Sequence, residues 1–315
     1  MPAKKSPESI TQDRQGLVHR INSLIAQAVI AEFNGQPKGH PLIVVNAVKN
    51  IIGDDRGNPS QNLLKMSENY INQFSKRDDD EHILNNVIKA GFGMTVFVDE
   101  VEEALMSGNK EAAELETAKQ LLASDKSSAI LELLTELALH DIASLGLFTY
   151  HWLRSYQFLQ DKEMLWAYAR SMINEIFKGH LQQQTPVISQ KPQDHLNAVL
   201  SNKLHGLWPT FSAMDRLWDC DYIRIESYRK SISSWLDKRA FKNAEVAETD
   251  STGLTDYINN SGRFFIDLAE DIIDNHKGHV AVVKIIELEG LRGIAKTSAP
   301  ESFPRIAQCI NFTAS

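Results

Sequence analysis

The feature that most constrains the fold is residues 142–159, a stretch with apolar or aromatic side chains on every side of a helix. A helix that is apolar all round is surrounded by other helices or by lipid. Nowhere does the chain keep about 18 consecutive residues apolar and uncharged, the length that crosses a bilayer. The stretch is therefore predicted to be the buried central helix of a bundle, and no membrane segment is expected.

The segments around this stretch have the periodicity of amphipathic helices. Their apolar residues recur at three- and four-residue steps, which places them on one helical face. One such set near the N-terminus is Leu17, Ile21, Leu24 and Ala28. Residues 279–289 suit a strand as well as a buried helix because they are rich in β-branched side chains, and helix is favoured since no partner strand is evident. The prediction is an all-α, multi-helix bundle.

Chain length and one polar segment bear on domain organisation. At 315 residues the chain exceeds the size at which one hydrophobic core usually stops growing, so one large helical domain and two smaller ones both stay open, with two favoured. Residues 182–193 are polar, contain two prolines and lack helical periodicity, which is typical of a linker. The predicted parts are a disordered tail (1–10), an N-terminal helical domain (11–181), the linker (182–193), a C-terminal helical domain (194–296) and a tail (297–315).

Charge and cysteine content limit the classes of partner and compartment. The formal net charge is -8, so the chain lacks the broad positive charge that binds nucleic-acid backbones. Cys220 and Cys309 lie far apart in the sequence and have no neighbouring cysteine, which excludes a disulfide framework and favours a reducing compartment. The polar N-terminus does not resemble a signal peptide. A soluble, cytoplasmic protein is expected, with neither nucleic acid nor a membrane as partner.

Two short patterns have the residue types of metal sites. Glu132, Glu136 and His140 lie four residues apart, in a row on one helix face, as metal ligands would. His140-Asp141 resembles the HD dyad of metal-dependent phosphohydrolases, although no preceding helix supplies the expected histidine. A solvated acidic face and an aspartate that caps the next helix are the favoured interpretations. No metal site is predicted, and the cofactor stays unknown.

His151 and Arg154 lie one turn apart inside the apolar stretch. Burying a guanidinium without a partner is expensive, so Arg154 needs an acid, a carbonyl, the surface or an anionic ligand. An internal salt bridge is favoured over a ligand site. Together with His140 and Asp141, the pair forms the candidate lining of a ligand pocket beside the helix.

Two functions are compatible with these residues. The leading hypothesis is a non-catalytic interaction or regulatory protein that binds a partner protein through a helical groove, because grooves need no short motif. The alternative is a helical enzyme or small-ligand-binding protein, with or without a metal, whose pocket lies beside residues 142–159. Whether the chain is an enzyme stays open.

Overall fold

The fold is all-α, as the periodicity of the apolar residues predicts. The structure, a computed structural model, describes residues 7–91, 97–181, 190–202, 206–239 and 249–315, with side chains from residue 14 onward. Within these ranges no β-strand forms, and one isolated antiparallel bridge pairs Ala31 with Lys76. The helices are α1 (Pro7–Val29), α2 (Pro41–Ile52), α3 (Gln61–Ile71), α4 (Asp80–Ala90), α5 (Val98–Met106), α6 (Lys110–Ala123), α7 (Ala129–Ala138), α8 (Leu147–Leu159), α9 (Leu165–Ile176), α10 (Leu196–Leu200), α11 (Leu207–Trp218), α12 (Ile225–Asp237), α13 (Thr252–Asn260), α14 (Phe264–Asn275), α15 (Gly278–Thr297) and α16 (Phe303–Ala314).

The predicted central helix is confirmed as α8, which follows a π-helical turn at Ile142–Gly146. All seven side chains at positions 147–153 are buried. Helices α2, α7, α9 and α11 pack around α8. Apolar side chains on different sides of α8 are therefore covered by neighbouring helices. The last turn of α8 leaves the bundle, and there Phe158 is 37% exposed.

Helices α11 and α15 cross at short distance because α15 carries glycines at the crossing. A β-carbon at position 290 would lie 2.5 Å from the Cα of Pro209, in the first turn of α11. A β-carbon at position 293 would meet the side chains of Ser212 and Arg216. Glycine removes these clashes, and the close approach brings polar side chains of the two helices within hydrogen-bonding distance.

Helices from both sides of the predicted linker pack on one another. Helix α2 contacts α15, α3 contacts α14, and α8 contacts α11, so the apolar core continues from the N-terminal part of the chain into the C-terminal part. Residues 182–189 of the linker lie outside the described residues. The division into two helical domains stays a prediction.

The structure resolves one ambiguity and corrects two expectations at the termini. Residues 279–289 are helical, as favoured, within α15. The expectation of a tail at 297–315 is wrong, because one face of α16, with Phe303, Ile306 and Ile310, is buried in the core. The disordered tail expected at 1–10 is wrong for residues 7–10, which belong to α1, while residues 1–6 lie outside the described part.

Candidate functional site

His140 and Asp141, the first two candidate pocket residues, lie before the π-helical turn. Asp141 Oδ1 accepts a hydrogen bond from Ser144 N at 3.2 Å, and Oδ2 accepts one from His180 N at 2.9 Å. Asp141 therefore caps the following helical turn, as the sequence favoured. His140 is half-buried, and burial lowers its pKa.

Arg154 is exposed, so the expectation of a buried guanidinium at this position is wrong. Its Nη1 donates to Gln157 Oε1 at 2.6 Å on the same helix. The physical reason is that α8 emerges from the bundle towards its C-terminal end, where a charged group keeps its water without cost. Arg154 is thus not brought together with His151.

His151 is fully buried, as predicted, and faces α2 and α15. Asn46 Nδ2 lies 2.8 Å from His151 Nδ1, and His151 Nε2 lies 3.9 Å from Glu289 Oε2. If the amide donates to Nδ1, the imidazole proton resides on Nε2 and points towards the Glu289 carboxylate. Burial lowers the pKa of His151 to about 3, so the ring is neutral at ordinary pH.

The buried ion pair predicted for Arg154 is formed instead by Arg216 and Glu289. Arg216 Nη1 and Nη2 donate to the two carboxylate oxygens of Glu289 at 2.7 and 3.0 Å, and Asn50 Nδ2 donates to Oε1 at 2.8 Å. Burial would raise the pKa of Glu289, but the charge and hydrogen bonds of Arg216 outweigh it and hold that pKa well below its usual range. The Arg216 guanidinium also lies 4.6 Å from the Tyr150 ring centroid. This arrangement, the Glu289 network, joins α2, α8, α11 and α15.

Acidification is expected to destabilise the protein through His151. The unfolded chain protonates a histidine near pH 6.5, whereas the folded ring does so only near pH 3. Between these values the unfolded state binds more protons, so the free energy of unfolding falls as pH falls, by up to about 1.4 kcal/mol per pH unit. Urea unfolding at about pH 7.5 and pH 5.5 measures the decrease in the free energy of unfolding. That decrease should be smaller in a His151→Gln variant. Equal pH dependence in both proteins would contradict the assignment.

The row formed by Glu132, Glu136 and His140 is not the solvated face that was expected. Glu132 Oε2 accepts a hydrogen bond from Arg224 N at 3.1 Å, and Glu136 pairs with the Arg224 guanidinium and the Ser227 hydroxyl. Both carboxylates are half-buried between α7 and the start of α12. They attach α12 to the bundle, which periodicity within one helix could not reveal.

No protein-family model, curated protein or solved structure matches the chain. In the part of the chain that the structure describes, no helix is both long and apolar enough to cross a membrane. In the same part, no group of three or more His, Cys, Asp or Glu side chains is placed to hold a metal ion. The cavities and charges of the molecule are therefore the basis for inferring what it binds.

An apolar groove of about 760 Å³ lies between the α1–α2 connection, the start of α11, the first turns of α15 and the end of α16. Its walls are mainly aromatic and aliphatic, including Phe33, Leu147, Pro209, Val283, Ile286 and Phe312. Val280 and Phe312 are 53% and 40% exposed. Large apolar side chains left in water around a concave surface are typical of a binding site.

Basic side chains accompany this apolar groove. Lys38, His279 and Lys284 belong to its lining, and Lys284 Nζ donates to the Thr313 carbonyl at 2.7 Å. The acidic residue of the lining, Glu287, is buried, and its Oε1 accepts a hydrogen bond from Gly206 N at 3.4 Å. The exposed charge here is thus positive, although the chain as a whole carries -8.

Sequence reasoning missed the groove because its walls come from distant segments. Position 33 ends one amphipathic run, and positions 280–286 lie in the segment whose secondary structure was ambiguous. Phe312 fell in the region taken for a tail. The signal that could have found α16 is the three- and four-residue spacing of Phe303, Ile306 and Ile310.

Proposed function

We propose that this chain is a non-catalytic binding protein whose apolar groove holds the apolar face of an amphipathic helix from a partner protein. The observation that carries the proposal is the groove itself, which is apolar in its lining and leaves Val280 and Phe312 in water. Covering these side chains removes apolar surface from water, which is the main driving force of helix-in-groove recognition.

The open side of the groove favours a helix over a small apolar ligand. Small-molecule sites commonly enclose 70–90% of the ligand surface. Here two large side chains of the lining, Val280 and Phe312, remain substantially exposed, so a small ligand would leave apolar surface in water. An amphipathic helix has one apolar face and one polar face, so it covers the groove while its polar face stays hydrated.

The charges predict the sequence of the partner helix. Lys38 and Lys284 accompany the apolar walls, so acidic residues beside the apolar stripe of the partner would meet opposite charge. Apolar anchors are expected at positions i, i+3 or i+4, and i+7. The partner is therefore expected to be an acidic amphipathic helix.

Selection from a displayed library of helix-forming peptides tests the proposal. Peptides that bind the wild-type chain should share the anchor spacing and acidic flanks, and Val280→Asp should weaken them at least tenfold because it places a carboxylate in the apolar contact. Val18→Asp is the matched control: Val18 is 45% exposed on α1 and lies outside the groove, so binding should be unchanged.

Two results would overturn this function. One is a selection that yields no peptide sensitive to Val280→Asp. The other is stoichiometric binding of a fluorescent fatty acid that is abolished by Val280→Asp and that no helical peptide displaces. That result would identify the groove as a lipid site.

A further inference from the structure

A second cavity, here named the charged cleft, shares Phe33 with the apolar groove and has about 520 Å³ of space. Its walls are residues 31–34 and His40 between α1 and α2, residues 77–79 before α4, Lys110 at the start of α6, and part of α9. The volume is in the range of small-ligand sites. Its described lining carries four carboxylate side chains, four lysine or arginine side chains and His40, in contrast to the apolar groove.

Glu175 of α9 is the unusual group in the charged cleft. Its side chain is 2% exposed. One carboxylate oxygen, Oε1, accepts from Lys178 Nζ, whereas Oε2 is buried without a hydrogen-bond partner among the described residues. Burial raises the pKa of Glu175 to about 7, against the lowering effect of Lys178 and Arg77. A buried acceptor without a donor costs free energy, so a ligand that donates to Oε2 would remove that cost.

Asn174 supplies a second unsatisfied acceptor beside Glu175. Its Oδ1 is also buried and lacks a partner within the described residues, and Asn174 belongs to the same lining. An ammonium group carries three N–H donors, so it can supply donors to more than one acceptor. The carboxylate makes these bonds charge-assisted and hence stronger than neutral ones.

The basic side chains of the charged cleft differ in whether they already form ion pairs with acidic residues. Arg170 pairs with Asp79 at 2.7 Å and with Glu114 at 3.3 Å. Arg77 pairs with Asp80 at 3.2 Å. Lys110 is exposed at the first turn of α6 and forms neither an ion pair nor a hydrogen bond with a described residue. A helix start also favours negative charge, so Lys110 marks a place for an anion.

We propose that the charged cleft binds a small zwitterion of the α-amino-acid type. The ammonium group donates to Glu175 Oε2 and Asn174 Oδ1, and the carboxylate group lies at Lys110. A ligand without net charge matches a lining in which the carboxylates equal the lysine and arginine side chains in number. Binding of the amino acid here does not require a helix partner in the apolar groove.

Thermal shift with the natural α-amino acids, followed by calorimetric titration of the best one, tests this site. We expect at least one amino acid to raise the Tm of the wild-type chain. Its decarboxylated amine and its deaminated acid should each bind at least tenfold more weakly, because each lacks one of the two charges. If no amino acid raises the Tm, or if either single-charge analogue binds equally well, the proposal is wrong.

Variants connect the binding to the named residues. Glu175→Gln should weaken the amino acid at least tenfold and leave the Tm of the empty protein unchanged or raised, since the amide removes a buried charge. Lys110→Ala should also weaken binding, whereas Lys65→Ala, an exposed lysine of α3 outside this lining, should not. Undiminished affinity in Glu175→Gln would overturn the site. Val280→Asp should bind the amino acid as the wild type does, which separates this site from the apolar groove.

Discussion

Glu289→Ala is expected to lower the free energy of unfolding by about 3–5 kcal/mol. The substitution leaves the Arg216 guanidinium in the interior without the two carboxylate oxygens at 2.7 and 3.0 Å. It also removes the acceptor of Asn50 and the negative charge near the His151 ring. The loss is therefore the cost of an uncompensated buried charge. Urea unfolding followed by circular dichroism near pH 7 measures it.

An exposed ion pair provides the control for this prediction. Glu68 pairs with Arg20 at 3.3 Å and its side chain is 48% exposed, so Glu68→Ala should cost less than about 1 kcal/mol. The double variant Arg216→Met/Glu289→Met should recover much of the loss, because it removes both charges together. A loss below about 1 kcal/mol in Glu289→Ala would show that Arg216 reaches water and that the network is not dry.

Phe148→Ala is expected to lower the free energy of unfolding by about 3–5 kcal/mol as well. Phe148 is fully buried in α8, and its ring centroid lies 4.7 Å from that of His40. Truncation removes apolar contacts and leaves a cavity that the surrounding helices fill only in part.

The same helix offers a matched control. Phe158 is 37% exposed in the last turn of α8 and contacts Lys49, whose Nζ lies 4.8 Å from the ring centroid. Phe158→Ala should cost about 1 kcal/mol or less, the value of an exposed cation–π contact. Denaturant unfolding of both variants gives the comparison. Equal losses would contradict the placement of α8 at the centre of the bundle.

Much of the fold was predictable because helix formation depends on local periodicity. Positions 142–159 are apolar on all sides, and this alone predicts a helix enclosed by others. The sequence could not decide between helix and strand at 279–289, because β-branched residues suit both. In the structure these residues are helical and belong to α15, which packs on α2 and α11. The helix at 303–314 was missed although its apolar spacing was present.

The polar contacts were much less predictable, because they join residues distant in sequence. Asn50 and Glu289 are 239 positions apart, and no local pattern relates them. The apolar surroundings in the sequence predict a buried arginine at position 154, whereas the arginine that pairs with a buried acid is Arg216. Periodicity assigns a side chain to a face of its helix, but the neighbour on that face depends on how the helices pack.

Phe33 contributes to the walls of both the apolar groove and the charged cleft, and its backbone carbonyl accepts a hydrogen bond from Lys178, the partner of Glu175. An occupant of one cavity that shifts this ring changes the lining of the other cavity. Two ligands that both moved Phe33 from these two cavities would then be thermodynamically coupled, and each would alter the affinity of the other by the same factor.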